Sequence, residues 1–333
     1  MHMADALVSP PVATGMAVAS LAVGAYSIFK IKKENKPENI PVMGVMGAFV
    51  FATQMVNFTI PGTGSSGHLC GGLLLSALIG PYGGFLSMMA ILLLQCLLFA
   101  DGGLMAYGCN VWNMAFYACF FGYFCIYKPI LGKNPSKKKI LIASILGSVL
   151  SLQLGAFSVT LETLISGVTE LPFLTFLQPI HLAIGFVEGL ITSAVLIFVY
   201  NTRPEMLNLN EKSNEFSFKK VIAILSIVTV LIGGGISLLA SSSPDGLEWS
   251  MENVAGSTEL DSKGSAYDKA SEIQEKTTLL PDYSISNSNN EILGTSFSGV
   301  LGSVLVAVIL IGGSLIFRFY KKGAKNEQIR KSA

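Results

Sequence analysis

An all-α, polytopic membrane bundle is the fold class this 333-residue sequence predicts, and three observations carry it. First, 51% of the residues are hydrophobic and only 13% are charged, the balance of a chain solvated mostly by lipid. Second, nine apolar runs follow one another at roughly 11–29, 41–59, 69–80, 82–100, 104–127, 140–160, 180–200, 221–240 and 297–317, and most reach the about 20 helical residues that cross a bilayer. Third, the basic residues are segregated between those runs. With nine crossings and the N-terminus outside, the inner segments 30–40, 128–139, 201–220 and 318–333 hold four, five, four and six Lys or Arg, 19 of the chain's 22. The other three, Lys263, Lys269 and Lys276, fall in a long outer loop, 241–296. Positive charge gathered on the inner side predicts an N-terminus outside and a C-terminus inside.

The elements then read in order. No basic region precedes the first run, and Lys30, Lys32, Lys33 and Lys36 follow it where a cleaved leader would have small residues. It therefore reads as a retained crossing. Segments one and two carry small-residue stripes, Ala13 and Ala17 then Ser20 and Gly24, and Gly44, Ala48 and Ala52. Such stripes let helices approach closely in lipid. The run 69–80 is short and ends at Gly80-Pro81, a helix breaker; it counts as a short crossing because the charges then balance. Five cysteines, Cys70, Cys96, Cys109, Cys119 and Cys125, form no C-x-x-C pair and read as buried free thiols.

Chemistry concentrates at one face. A free Met1 amine, the His2 amide nitrogen and a His2 ring nitrogen can close on one cation as fused five- and six-membered chelate rings, placing three nitrogens in a plane. Planar nitrogen favours Ni(II), Cu(II) or low-spin Co(II), whereas zinc prefers a tetrahedron. On those two residues alone, a loose terminus is the better explanation. The topology adds to them. His2 lies at the outer end of segment one, His68 closes the outer run Pro61-Gly62-Thr63-Gly64-Ser65-Ser66-Gly67, and His181 opens segment seven from the outer side. The glycines around His68 permit unusual backbone, tolerated at membrane depth only where protein covers it or a cavity is lined. A plain outer loop is the other reading; a phosphate loop is a poor alternative because no Gly-Lys-Ser/Thr follows and no lysine is nearby. Gln95, Asp101, Asn110 and Asn113 flank or lie within segments four and five, with Asp101 at the outer boundary. Glu188 lies seven residues beyond His181, two turns along the same helix face and about 10 Å deeper. It reads either as the base of a polar network under the site or as a paired structural acid.

Taken together, these residues resemble a known family. Met1-His2, Asp5, the loop ending Ser66-Gly67-His68-Leu69, Gln95-x5-Asp101-Gly102-Gly103, Gly108-x-Asn110-x2-Asn113-Met114 and His181-Leu-Ala-Ile-Gly185-x2-Glu188-Gly189 occur in that order. They are similar to the CbiM/NikM substrate-binding (S) component of cobalt and nickel energy-coupling-factor (ECF) transporters, a class of ABC transporter. The similarity covers residues 1–202, a metal-binding membrane domain of seven segments. Residues 203–333 resemble the PDGLE domain, the accessory N component. Pro244-Asp245-Gly246-Leu247-Glu248 opens its outer loop, Asp282-Tyr283 closes it, and two segments flank it.

The resemblance implies a cation held square-planar by four nitrogens: the Met1 amine, the His2 amide, the His2 ring and the His68 ring. His181, Asp5, Ser66, Gln95, Asp101, Asn110, Asn113 and Glu188 would support that set. The family's usual start is Met-His-Ile-Pro-Asp-Gly; here Met1-His2-Met3-Ala4-Asp5-Ala6 keeps the chelating atoms and lacks the proline and glycine of the entry turn. The implied activity is uptake of Ni(II) or Co(II), with no catalytic residues, no cofactor beyond the transported ion and no nucleic-acid partner. The implied partners, in the lipid bilayer of the cell membrane, are a CbiQ/NikQ-like coupling protein and two cytoplasmic CbiO/NikO-like ATPases. The chain's lack of a Walker A motif agrees. The stripes Ala13 and Ala17, and Gly44, Ala48 and Ala52, are the candidate docking faces for the coupling protein. The loop 241–296 has ten acidic and three basic residues and neither His nor Cys, so it reads as a regulator of loading or an acidic antenna. A membrane metalloenzyme is disfavoured by the absence of H-E-x-x-H and of paired carboxylates. A stand-alone channel or secondary carrier stays open at this point, as does the choice between nickel and cobalt, since both accept planar nitrogen.

Overall fold

The computed structural model describes residues 2–34, 39–207, 216–258, 260–285 and 291–332. Its helices in chain order are α1 (Pro10–Glu34), α2 (Asn39–Gln54), α3 (Gly72–Ile79), α4 (Pro81–Leu94), α5 (Tyr107–Val111), α6 (Lys128–Leu131), α7 (Lys137–Ile165), α8 (Pro172–Thr202), α9 (Phe218–Gly234), α10 (Gly246–Ala255), α11 (Ser265–Thr277) and α12 (Glu291–Ser332). Widened helical turns extend α4 through Phe99 and join α5 to α6. Among the described residues the only sheet is a hairpin between α2 and α3, β1 (Phe58–Ile60) against β2 (Ser65–Gly67), paired antiparallel. The fold is otherwise all-helical, as its composition predicts.

Among the described residues, seven helices are long and apolar enough to cross a membrane: Pro10–Lys33, Pro81–Phe99, Tyr107–Leu131, Lys137–Ile165, Phe173–Thr202, Phe218–Leu239 and Leu293–Ile316. The other two expected segments are shorter. The 16 residues of α2 rise about 24 Å and the eight of α3 about 12 Å, so α3 does not reach across the hydrocarbon by itself. Its helix is short for two local reasons. Gly80 sits at φ 83 and stops it, while Cys70 and Gly71 at its start give their backbone N–H groups to a side chain of α8.

Segment seven begins earlier than the sequence suggests. α8 starts at Pro172 and runs through Pro179, so His181 lies in its third turn rather than at its opening. Proline inside a membrane helix is tolerated where neighbouring groups satisfy the backbone. Beside it, Gln153 of α7 donates to the Gln178 carbonyl at 3.0 Å, and Gln178 donates to the Gln153 carbonyl at 3.1 Å. The cysteines correct one expectation as well: all five are free, but Cys125 is exposed while the others are buried.

The second half of the chain does not stand apart. α9 and α12 pack on α2, and a Cβ placed on Gly44 would lie 2.5 Å from Ile311 of α12. Ala48 and Ala52 are buried, and Ser303 of α12 donates to the Ala48 carbonyl. The stripe of α2 is therefore covered within the chain and is not a free docking face. On α1, Ala13 is buried and Ala17 packs against Gly108 of α5, so this stripe also turns inward; the outward face carries Val18, Leu21, Ile28 and Phe29 instead. Stripe spacing reports close packing, and in both helices the partner is intramolecular.

The long loop is folded too. Asp245 caps α10 through bonds from the Leu247 and Glu248 N–H groups, and the Glu248 carboxylate accepts from the Asp245 N–H at 3.0 Å. This reciprocal capping box fixes the helix start. α10 then lays Leu247 and Met251 onto the end of α8, where Trp249 meets Phe176 with ring centres 5.8 Å apart.

Candidate metal centre

The start of the chain is clamped from both sides. Asn110 accepts from the Met3 N–H at 2.7 Å and donates to the Met3 carbonyl at 3.1 Å, as a neighbouring strand would. The Gly103 N–H adds a second bond to that carbonyl, at 2.8 Å. Asp5 accepts from the Ala106 N–H at 2.9 Å. Gly102 permits the approach: at φ 84 it adopts a conformation other residues avoid, and a Cβ there would lie 2.9 Å from the Asn110 amide nitrogen. Asn113 donates to Glu162 of α7 at 2.7 Å and touches the Met3 sulfur at 3.5 Å.

This clamp delivers the His2 ring to the end of α4. His2 Nδ1 lies 3.1 Å from Asp101 Oδ1, and Nε2 lies 3.3 Å from Gln95 Oε1. Both acceptors are held by Tyr283: its hydroxyl donates to Asp101 Oδ2 and accepts from the Gln95 amide at 3.3 Å. Tyr283 itself stacks on Phe99, ring centres 4.6 Å apart. The widened turn Gln95–Phe99 aims these side chains. Such turns in otherwise regular helices often sit at functional sites.

His68 arrives from the opposite wall. Ser66 hydrogen-bonds the second half of the chain, its N–H to the Pro244 carbonyl and its hydroxyl to the Ser243 carbonyl, each at 2.8 Å. Past His68, the strap Leu69–Gly71 is tied to α8, where the Glu188 carboxylate accepts from Cys70 N–H at 2.7 Å and from Gly71 N–H at 3.2 Å. Between these ties the His68 ring stacks on that of His2, centres 5.0 Å apart and planes 21° apart. His68 Nδ1 faces the Leu69 carbonyl at 3.1 Å, a pure acceptor, so this nitrogen carries the ring proton and Nε2 presents the lone pair. Burial pushes both imidazoles down from their ordinary value to about 3, so both are neutral, the form that binds metal.

His181 lines one pocket with Gly67, His68, Cys70, Leu152, Ile184, Asp245 and Gly246. The expected ligand Met1 lies outside the described residues. Among those residues no three His, Cys, Asp or Glu side chains form a ready cage. A ligand set drawn largely from main-chain nitrogen is compatible with that. Three site residues went unread in the sequence: Tyr283 and Asp245, which tertiary folding brings to the site from the far loop, and Glu162. Glu162 falls two residues beyond the apolar run 140–160, where a lone acid reads as a helix boundary.

Glu188 gives a direct test of the strap. Glu188→Leu leaves two buried N–H groups without an acceptor and is expected to destabilise the protein by about 2–5 kcal/mol, whereas Glu188→Gln, which keeps one acceptor, costs about 1 kcal/mol. Thermal melts in detergent read the difference. Equal melting temperatures for the leucine variant and the parent would show that the strap does not depend on this carboxylate.

A helical bundle crossing the membrane many times, with neutral buried imidazoles and oxygen-rich support at one end, defines a membrane protein that handles a transition metal. Comparison with known proteins agrees. Residues 2–206 match the model of CbiM, the cobalt uptake substrate-specific transmembrane region, and residues 219–319 match the PDGLE domain. The chain is 32% identical over 309 residues to a candidate fused nickel transport protein, NikMN, of Archaeoglobus fulgidus, covering 93% of this chain and 96% of that one. It is 31% identical to the cobalt transport protein CbiM of Acetoanaerobium sticklandii, over 66% of this chain and 89% of that protein. A crystal structure of a truncated transition metal transporter superposes with a TM-score of 0.51 at 30% identity, covering 60% of this chain and 98% of that one. The chain belongs to the CbiM family, fused to a PDGLE domain: a multi-pass cobalt/nickel transport protein, from a family of transporters and not of enzymes.

Proposed function

We propose that this chain takes up Ni(II) or Co(II) from outside as the metal-binding S component of an ECF-type ABC transporter. The observation that supports it most is the stacked, neutral pair His2 and His68, with both rings held by named partners beside the start of the chain. The Met1 amine, the His2 amide, the His2 ring and the His68 ring are the proposed ligands. Closing the six-membered ring with its own amide requires His2 to bind through Nδ1. The cation then takes the place of the Nδ1 contact to Asp101, while Gln95 Oε1 holds the single ring proton on Nε2. Burial raises the Asp101 carboxyl above its ordinary value.

In this reading residues 1–202 form the receptor, residues 203–333 the accessory domain, and the strap with α3 makes the short third of nine passes, N-terminus outside and C-terminus inside. The loop 241–296 regulates loading, since its residues Asp245 and Tyr283 touch the site. A coupling membrane protein and two cytoplasmic ATPases supply the energy.

His68→Ala is expected to abolish tight Ni(II) binding and radioactive nickel or cobalt uptake in cells that also express those partners. A variant that binds normally would move the fourth ligand elsewhere. Purification of the chain without any ATPase complex, combined with full uptake in cells lacking one, would instead support a stand-alone carrier.

A further inference from the structure

His181 carries a lone pair that the four-nitrogen set does not use. Its Nδ1 lies 2.8 Å from the Leu177 carbonyl oxygen, which can only accept, so the ring proton sits on Nδ1 and Nε2 is bare. Nε2 is buried and, among the described residues, has no hydrogen-bond partner, in a side chain only 1% exposed. Buried polar atoms are nearly always satisfied, and an exception needs a reason. His181 shares its pocket with His68 and Asp245. Gly246 packs beside the ring: a Cβ there would touch His181 Cε1, the carbon between the two nitrogens, at 3.6 Å.

We propose that His181 Nε2 is an exchange ligand, holding the cation beside His68, with the Asp245 carboxylate adding negative charge, as it enters or leaves the four-nitrogen plane. This rests on the reading above that the plane is built from Met1, His2 and His68. The chemistry calls for such a position. An amide proton is scarcely acidic, so the cation must be anchored by neutral nitrogen before the His2 amide can ionise and bind. Two imidazoles and a carboxylate that are not gathered into a cage hold a cation weakly, which suits a ligand that must let go. Because the same position serves both directions, His181 sets rates and leaves affinity alone.

The test compares full-length wild type with His181→Phe, which keeps a ring and loses the nitrogens. Ni(II) association and dissociation, followed by stopped flow, are both expected to slow about tenfold, with Kd held within about twofold. Unchanged rates would overturn the proposal, as would a weakened Kd at an unchanged association rate, which would make His181 a resident ligand. A second measurement needs no variant at position 181. Native full-length chain frozen within milliseconds of mixing with Cu(II) is expected to give a pulsed-EPR signal from an imidazole that disappears as the planar set forms; an early signal identical to the final one overturns it. Adding an alanine before Met1 separates the two readings. It should remove the final planar signal and keep the early one, and persistence of the planar signal would defeat the Met1 assignment while leaving the role of His181 to stand or fall on its own data.

Discussion

A single residue placed before Met1, or acetylation of its amine, is expected to weaken Ni(II) binding by about 10²–10³-fold and to abolish uptake. The estimate follows from sharing a total of about 10–16 kcal/mol, typical of a four-ligand site, among four donors, so that losing one costs about 2.5–4 kcal/mol. The clamp that Asn110 and Gly103 place on Met3 fixes the strand from Met3 onward, so an added residue cannot be absorbed by sliding the chain. Equilibrium binding to purified protein separates this from an expression defect, and undiminished binding by the acetylated protein would end the chelate model.

The pH dependence should be steep and should come from the main chain. Metal binding displaces a proton from the Met1 amine, ordinary pKa about 7.7–8.0, and one from the His2 amide. The apo form therefore holds more protons than the loaded form, and affinity rises with pH. Below about pH 7.5 the expected slope is about two log units per pH unit, falling to about one above pH 8. The His2 and His68 rings add nothing to this slope over that range, because burial holds them near about 3 and they are already neutral. A site built only from exposed histidines would level off above about pH 6.5. Competition with a chelator of known pH behaviour, run from about pH 5.5 to 8.5, distinguishes the two; a plateau from pH 6.5 would assign binding to imidazoles alone.

Hydropathy made the seven long spans legible, because lipid demands about 20 apolar residues and few sequences meet that by accident. The end of α3 was legible in Gly80-Pro81. Its start was not, because Cys70 and Gly71 are held by bonds to Glu188, a residue 117 or more positions away. The β1–β2 hairpin has three-residue strands, too short to show alternation, and its glycines suited a plain loop equally well. His68, Gln95, Asp101, Asn110 and Asn113 were readable as polar residues in or beside apolar runs. The small-residue stripes told which faces pack closely but not against what, and α12 and α5 supplied partners that no local pattern announces. Tyr283 stood in a motif, yet only the fold brings it to Asp101 and Gln95.

The hydrogen bonds from Ser66 to Ser243 and Pro244 join the two parts of one polypeptide. Because the parts are covalently tethered, each meets the other at an effective concentration that reaches about the millimolar range for short flexible links, independent of expression level or lateral diffusion. Two separate polypeptides would have to find one another in the bilayer and would part on dilution into detergent. Here the wall beside His68 cannot be lost, and every molecule carries its PDGLE domain in a fixed one-to-one ratio.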